Sequence, residues 1–267
     1  MKTTFGTRID KKFRELRRKN KKAFIAFITC GDPNITTSFK LALELERSGV
    51  DIIELGVPFS DPLADGPVIQ AASQRALMQG TNFNHVLGLI KRIREKSQIP
   101  LVVMSYYNPI LNMGEERFVR KASGAGLDGL IVPDLPPEEA TDLIGYCRKF
   151  KLNTIFFLSP TSPNERIKSV ARVSNGFIYY VSLTGVTGIR RKLHDEIKSR
   201  VGLIKRFTKK PICVGFGVSN RAQVKEISKF ADGIIVGSAI VKKIQGNIGK
   251  IDLVGRVGKF VRGLISK

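Results

Sequence analysis

The chain has no tryptophan, only two histidines and only three cysteines in 267 residues. His85 and His194 leave no zinc-ligand pattern and no histidine-based triad to pursue. Cys30, Cys147 and Cys213 are far apart and odd in number, with no His or Cys neighbours at ligand spacing. They are expected to be free buried thiols rather than a disulfide or metal framework. No apolar run approaches the roughly 18 residues of a membrane span, and Met1 to Lys22 lacks the apolar centre of a secretory signal, so a cytoplasmic location is expected. Acidic residues are scarce too, 23 Asp+Glu against 45 Lys+Arg, for a formal net charge of +22. A disordered polycation is nevertheless excluded, because 42% of the residues are hydrophobic and disorder needs low hydrophobicity as well as high charge.

The positive charge points to an acidic partner: nucleic acid, anionic lipid or a phosphorylated small molecule. Its densest cluster, Arg8 to Lys22, holds nine Lys/Arg in fifteen residues, with Ile9, Phe13 and Leu16 at helical spacing. That pattern predicts an amphipathic helix which docks by its apolar stripe and leaves its charges in water. Contact with a membrane surface or RNA is the alternative. Elsewhere the cations are dispersed along Lys91 to Lys96, Lys205 to Lys210 and Lys242 to Lys267. Stacking aromatics are not interleaved with them, which weighs against nucleic acid.

Eight short apolar runs punctuate the chain: Ala23 to Ile28, Asp51 to Leu55, Pro100 to Met104, Asp128 to Val132, Asn153 to Leu158, Gly176 to Val181, Pro211 to Val214 and Asp232 to Val236. Their lack of alternation predicts strands buried on both faces, as in a parallel sheet. A helical pattern follows each, for example Phe39, Leu41, Ala42 and Leu45 after the first and Val86, Leu89, Ile90 and Ile93 after the second. Repeated βα units imply right-handed parallel crossovers. Eight of them in about 250 residues predict a single (β/α)8 barrel domain over residues 1–267, with an extra N-terminal helix and additional peripheral helices. An open doubly wound sheet is the alternative.

In a barrel, the chemistry sits at the C-terminal ends of the strands. The loop after the second run, from Glu54 to Pro67, reads ELGVPFSDPLADGP, with three carboxylates and three prolines. Glu54 lies inside the apolar run, where desolvation raises a carboxyl pKa and suits it to donate and accept protons near neutrality. Pairing with a Lys or Arg is its alternative fate, as capping of turns or of the next helix is for Asp61 and Asp65. Val181 to Gly188 reads VSLTGVTG and is followed by Ile189, Arg190, Arg191 and Lys192, a loop able to close over an anion. Gly215, Phe216, Gly217 and Val218 follow the seventh run; Gly237 and Ser238 follow the eighth and open a helix. Glycines there admit backbone N–H groups to a ligand, and helix N-termini add positive potential, which together predict a phosphate site.

ELGVPFSDPLADGP, with the downstream GVTG, GFGVS and VGSAIV, resembles the tryptophan synthase α-subunit family from the N-terminal helix to the last. The resemblance implies a (β/α)8 barrel that cleaves indole-3-glycerol phosphate by a retro-aldol reaction to indole and glyceraldehyde 3-phosphate, without a cofactor or metal in this subunit. It implies that Glu54 is the general acid/base, that Asp65 meets the indole N–H, and that Tyr179 stands near the reacting centre. Thr187 would close towards Asp65, while Gly188, Gly217, Gly237 and Ser238 would hold the phosphate beside Phe216. Phe27, Met104 and Asp134 would line or support the pocket. The implied partner is a pyridoxal-phosphate β subunit in an α2β2 complex, which takes up indole and faces Asp61, Asn108 and Pro109. A stand-alone indole-releasing lyase and a basic barrel that binds nucleic acid are the other readings. Two departures stand out: Leu183, where many bacterial members have arginine, and the high positive charge.

Overall fold

The computed structural model describes residues 6–181, 190–215 and 217–265. Among them, nine parallel strand segments form one sheet: β1 (Ala23–Thr29), β2 (Ile52–Gly56), β3 (Leu101–Met104), β4 (Gly129–Ile131), β5 (Asn153–Ile155), β6 (Phe157–Leu158), β7 (Ile178–Val181), β8 (Ile212–Gly215) and β9 (Gly233–Val236). β1 pairs with both β2 and β9, so the first and last strands are neighbours. β5 and β6 are halves of one barrel position interrupted at Phe156: β5 pairs with β4, and β6 with β7. Phe156 still accepts a hydrogen bond from the Tyr179 N–H, at 3.1 Å, across the break. Nine segments thus fill eight positions, and the barrel, not the open sheet, is the fold.

Both strand faces are buried, which is why the runs do not alternate in the sequence. One set of residues, among them Ile25, Ile52, Val102, Ile131, Ile155, Phe177, Cys213 and Ile235, fills the barrel interior. The other set, including Phe24, Ala26, Ile28, Ile53 and Leu55, packs outward in the larger apolar cluster under the helices. All three cysteines are free and buried, as expected.

The helices are α1 (Arg8–Arg18), α2 (Ile35–Arg47), α3 (Pro67–Met78), α4 (Phe83–Arg94), α5 (Tyr107–Met113), α6 (Glu115–Gly124), α7 (Thr141–Lys149), α8 (Asn164–Val173), α9 (Arg190–Phe207), α10 (Arg221–Ser228), α11 (Ser238–Gln245) and α12 (Leu253–Ile265). Two of them carry little signal. The residues that α3 buries, Ala72, Ser73 and Ala76, are too small to make an apolar stripe. α5 is only seven residues long and holds Pro109 in its first turn, where a missing N–H costs nothing.

α1 docks as its stripe predicts. Thr7 and Asp10 form a capping box at its start, and Ile9, Phe13 and Leu16 join the barrel-interior cluster, with the Phe13 ring 5.9 Å from that of Phe177. The helix closes the end of the barrel remote from the loops that follow the strands. An ionic knot holds this end together. The buried Asp128 carboxylate accepts from Arg94 at 2.6 Å, from Arg8 at 3.0 Å and from the Leu101 N–H at 2.9 Å, joining α4, α1 and β3. Burial pushes its pKa up, and the two guanidinium groups and the N–H oppose that shift. Arg94→Met should therefore destabilise the fold by about 3 kcal/mol, the cost of leaving a buried carboxylate short of its partner, as measured by the urea midpoint. A loss below about 0.5 kcal/mol, typical of surface pairs, would contradict it.

Candidate active site

The pleat of the strands sets the site. Glu54 lies on β2 two residues beyond the inward-facing Ile52 and opposite Phe27 of β1 in register. On β3 and β7, Met104 and Tyr179 stand two residues beyond Val102 and Phe177, and they pack on the same interior cluster. The apolar layer below gives way to a cavity of about 300 Å³, whose wall includes Phe27, Glu54, Asp65, Met104, Phe157 and Tyr179. Gly217, Gly237 and Ser238 line its other side.

Glu54 is 1% exposed, and its Oε2 has no hydrogen-bond partner. Burial, with the Asp65 charge adding to it, pushes its pKa up to about 8. None of the ion pairs among the described residues involves Glu54. Asp65 is partly buried and does not cap a helix: α3 starts after Gly66 with no side-chain cap. The Asp65 carboxylate instead accepts from the Tyr106 hydroxyl at 3.1 Å. Burial raises its pKa to about 6, and the Tyr106 hydrogen bond restrains the rise. Burial also pushes the Tyr179 phenol well up, with the Glu54 charge next in importance, so it stays protonated. At pH 7 the cavity thus holds one carboxyl that is mostly neutral and one that is mostly ionised.

Two glycines shape this wall, one from behind Tyr179 and one on the wall itself. A Cβ at Gly215 would lie 2.6 Å from the Tyr179 hydroxyl, so only a hydrogen fits beside that ring. Gly217 has φ +75°, which favours glycine. Gly237 is the N-cap of α11, so the first N–H groups of that helix lie at the wall. Asn220 caps α10 through its side chain, and the Ser219 N–H donates to Gln223. No Lys or Arg is among the described residues lining the cavity. An anion there meets backbone donors and helix potential rather than a side-chain cation.

Of the residues singled out from the sequence, Glu54, Asp65, Tyr179, Phe27, Met104, Gly217, Gly237 and Ser238 converge on one cavity. Thr187, Gly188, Phe216 and Leu183 lie outside the described residues. Asp134 is a support: its carboxylate accepts from the Tyr107 N–H at the start of α5, at 2.9 and 3.2 Å. Sequence reasoning missed Phe157 and Tyr106. Phe157 was within reach, since the period of two through Asn153 and Ile155 turns it inward. Nothing in the sequence pairs Tyr106 with Asp65. Among the described residues, no three His, Cys, Asp or Glu side chains form a metal-holding group, and no helix is long and apolar enough to cross a membrane.

A family model described as tryptophan synthase alpha chain matches residues 13–260. The tryptophan synthase alpha chain of Citrifermentans bemidjiense is 49% identical over 258 residues, covering 97% of this chain and 96% of that one. The same protein of Methanocaldococcus jannaschii is 49% identical over 242 residues, 90% of this chain and 86% of that one. Among solved structures, tryptophan synthase subunit alpha of Legionella pneumophila superposes with a TM-score of 0.91 at 36% identity, covering 97% of both chains. A chain of the Pyrococcus furiosus tryptophan synthase complex superposes at 0.84 with 35% identity, covering 92% of this chain and 98% of that one.

A buried carboxyl with a raised pKa binds more protons folded than unfolded across the window between its ordinary pKa, near 4.3, and about 8. Stability contributed at Glu54 therefore falls as pH rises through that window. Glu54→Gln should raise the thermal midpoint relative to the parent at pH 8, and much less at pH 5. Equal effects at both pH values in paired melting curves would contradict the raised pKa.

Proposed function

The chain belongs to the tryptophan synthase alpha chain family and is a lyase acting on indole-3-glycerol phosphate in tryptophan biosynthesis; from that premise we propose how its residues divide the work. The observation that carries the proposal is the buried, unpartnered Glu54 carboxyl in the same apolar cavity as the ionised Asp65.

Glu54 is the general acid/base. Retro-aldol cleavage adds a proton to indole C3 and removes one from the hydroxyl on the adjacent side-chain carbon. The C–C bond breaks, its electrons return to the indole ring, and the oxygen becomes the aldehyde of glyceraldehyde 3-phosphate. Glu54, mostly neutral at pH 7, gives a proton to C3 and takes one back from the hydroxyl, so it ends as it began. Protonation at C3 places positive charge on the indole nitrogen, and the Asp65 carboxylate, accepting the N–H, stabilises it as it forms. Tyr179, protonated and buried, flanks the reacting carbon.

The phosphate binds at Gly217, Gly237 and Ser238, with Gly188 and Phe216 completing that end and Phe27 and Met104 holding the apolar part of the substrate. Thr187 closes towards Asp65, and the closing loop retains indole and excludes water. The whole of 1–267 is read as one domain, cytoplasmic, with no cofactor of its own and no nucleic-acid or membrane partner. Pyridoxal phosphate belongs to the β partner of an α2β2 assembly, which Asp61, Asn108 and Pro109 face. Asn108 is exposed at the start of α5, and Leu63, two residues beyond Asp61, is 83% exposed.

Two assays test these roles. Indole release from indole-3-glycerol phosphate is expected to be slow for the purified chain and much faster with a β subunit, and to fall by at least about a hundred-fold in Glu54→Gln; full activity in that variant would remove Glu54 from the reaction. Gly217→Asn keeps a residue that tolerates positive φ but puts a side chain into the anion cradle. It should raise KM for the phosphorylated substrate about ten-fold or more, and an unchanged KM would sink the phosphate assignment.

A further inference from the structure

The role of Asp65 depends on where its carboxylate points, and the loop carrying it, from Val57 to Gly66, belongs to no helix or strand. Its anchor comes from elsewhere. The Tyr106 hydroxyl donates to Asp65 Oδ2 at 3.1 Å and accepts from the Ala64 N–H at 3.0 Å. One oxygen thus fixes both the side chain and the adjoining backbone. The Tyr106 ring also stacks on Phe59, with centroids 5.1 Å apart and planes inclined by 26°, so the same residue grips the beginning and the end of the loop.

Tyr106 is itself held. It is 5% exposed and is the N-cap of α5. The Ser105 hydroxyl donates to its carbonyl at 3.0 Å, and Asp134 from the β4 side accepts the next N–H. These contacts tie its backbone to β3 and β4, the rigid part of the fold. Tyr106 is not among the cavity-lining residues, whereas Asp65 is.

We propose that Tyr106 is a positioning residue for the lyase reaction, its hydroxyl holding the Asp65 carboxylate at the cavity wall before substrate arrives. This rests on the reading of Asp65 as the acceptor of the indole N–H. Pre-orientation matters because an acceptor aimed where charge develops needs no rearrangement in the transition state. The hydrogen bond also opposes the rise that burial imposes on the Asp65 pKa. The other titratable groups facing this pair are Glu54 and Tyr179 across the cavity and Asp134 behind Tyr106.

A double-mutant cycle with Tyr106→Phe and Asp65→Asn tests it, with indole release measured between pH 5 and 9 in the presence of β subunit. Tyr106→Phe keeps the ring and its stack. It should lower kcat and kcat/KM together by roughly ten- to a hundred-fold, the range for a hydrogen bond to a charged group. The acidic limb of its profile should move to higher pH. In the Asp65→Asn background the same change should have little further effect. A carboxyl NMR titration of the free protein reads the link without turnover, and Asp65 should titrate higher in Tyr106→Phe than in the parent. Equal losses in both backgrounds, or an unmoved Asp65 titration, would overturn the role of Tyr106 while leaving Asp65 in place. Parental activity in Asp65→Asn would instead remove the reading of Asp65, and the positioning role with it.

Discussion

One buried carboxyl group with an oxygen that no hydrogen-bond donor meets is the constraint around which this barrel is organised. Glu54 sits where the pleat of β2 turns it inward, above a layer of Ile, Val and Phe side chains closed from below by α1. A charged carboxylate cannot rest there without a counter-ion, so the proton stays on to about pH 8. The apolar interior that destabilises the anion is the same interior that stabilises the fold. α1 therefore serves the site indirectly: Ile9, Phe13 and Leu16 seal the far end and keep the interior under Glu54 apolar.

The barrel handles its other buried carboxylates differently. Asp128 meets two guanidinium groups and an N–H, and Asp32 takes a bidentate pair from Arg75, with both contacts at 2.8 Å. Those groups hold elements together. Glu54, in a chain where Lys and Arg outnumber Asp and Glu about two to one, is the one of these three buried carboxyls that no cation among the described ion pairs reaches. In a molecule so rich in cations, that separation reflects position: every cavity wall residue described is apolar, glycine, serine, tyrosine or acidic. Outside such pairs, cations stand on the outer faces of helices, as Lys11, Arg14, Arg17 and Arg18 do on α1. Even one-to-one pairing with the acids would leave 22 of the 45 over (45 − 23), so the excess belongs to the exterior and not to the chemistry.

This division was readable in part. An acid inside Ile52-Ile53-Glu54-Leu55 conflicts with its neighbours, and such a conflict marks a site. Gly217 and Gly237 were readable as cavity-lining positions because they follow strand ends, where sites in this fold lie. The apolar runs located all eight barrel positions but not the break at Phe156, since a one-residue interruption leaves the composition unchanged. α3 escaped because Ala and Ser at its buried positions pack against the barrel without forming a hydrophobic stripe. Tyr106 and Asp65 are 41 residues apart, and their contact follows from the path of two loops over the barrel rim, which no local pattern encodes. Local rules therefore found Glu54, Asp65 and the glycines that line the cavity and missed the hydroxyl that holds Asp65.

The two carboxyls of the cavity are alike in chemistry and differ in surroundings, and that difference sets their proposed roles. Glu54 has only apolar neighbours below and an unpartnered oxygen; Asp65 has a hydroxyl donor and a partly open loop. Burial raises both, yet the Tyr106 hydrogen bond favours the ionised form of Asp65, so Asp65 gives up its proton first and its negative charge then helps hold the proton on Glu54. The asymmetry reinforces itself: whatever stabilises Asp65 as an anion also keeps Glu54 an acid. The proposed roles call for a neutral acid over indole C3 and an anion at the indole nitrogen, and the raised pKa of about 8 at Glu54 against about 6 at Asp65 suits the two groups to those forms at neutral pH.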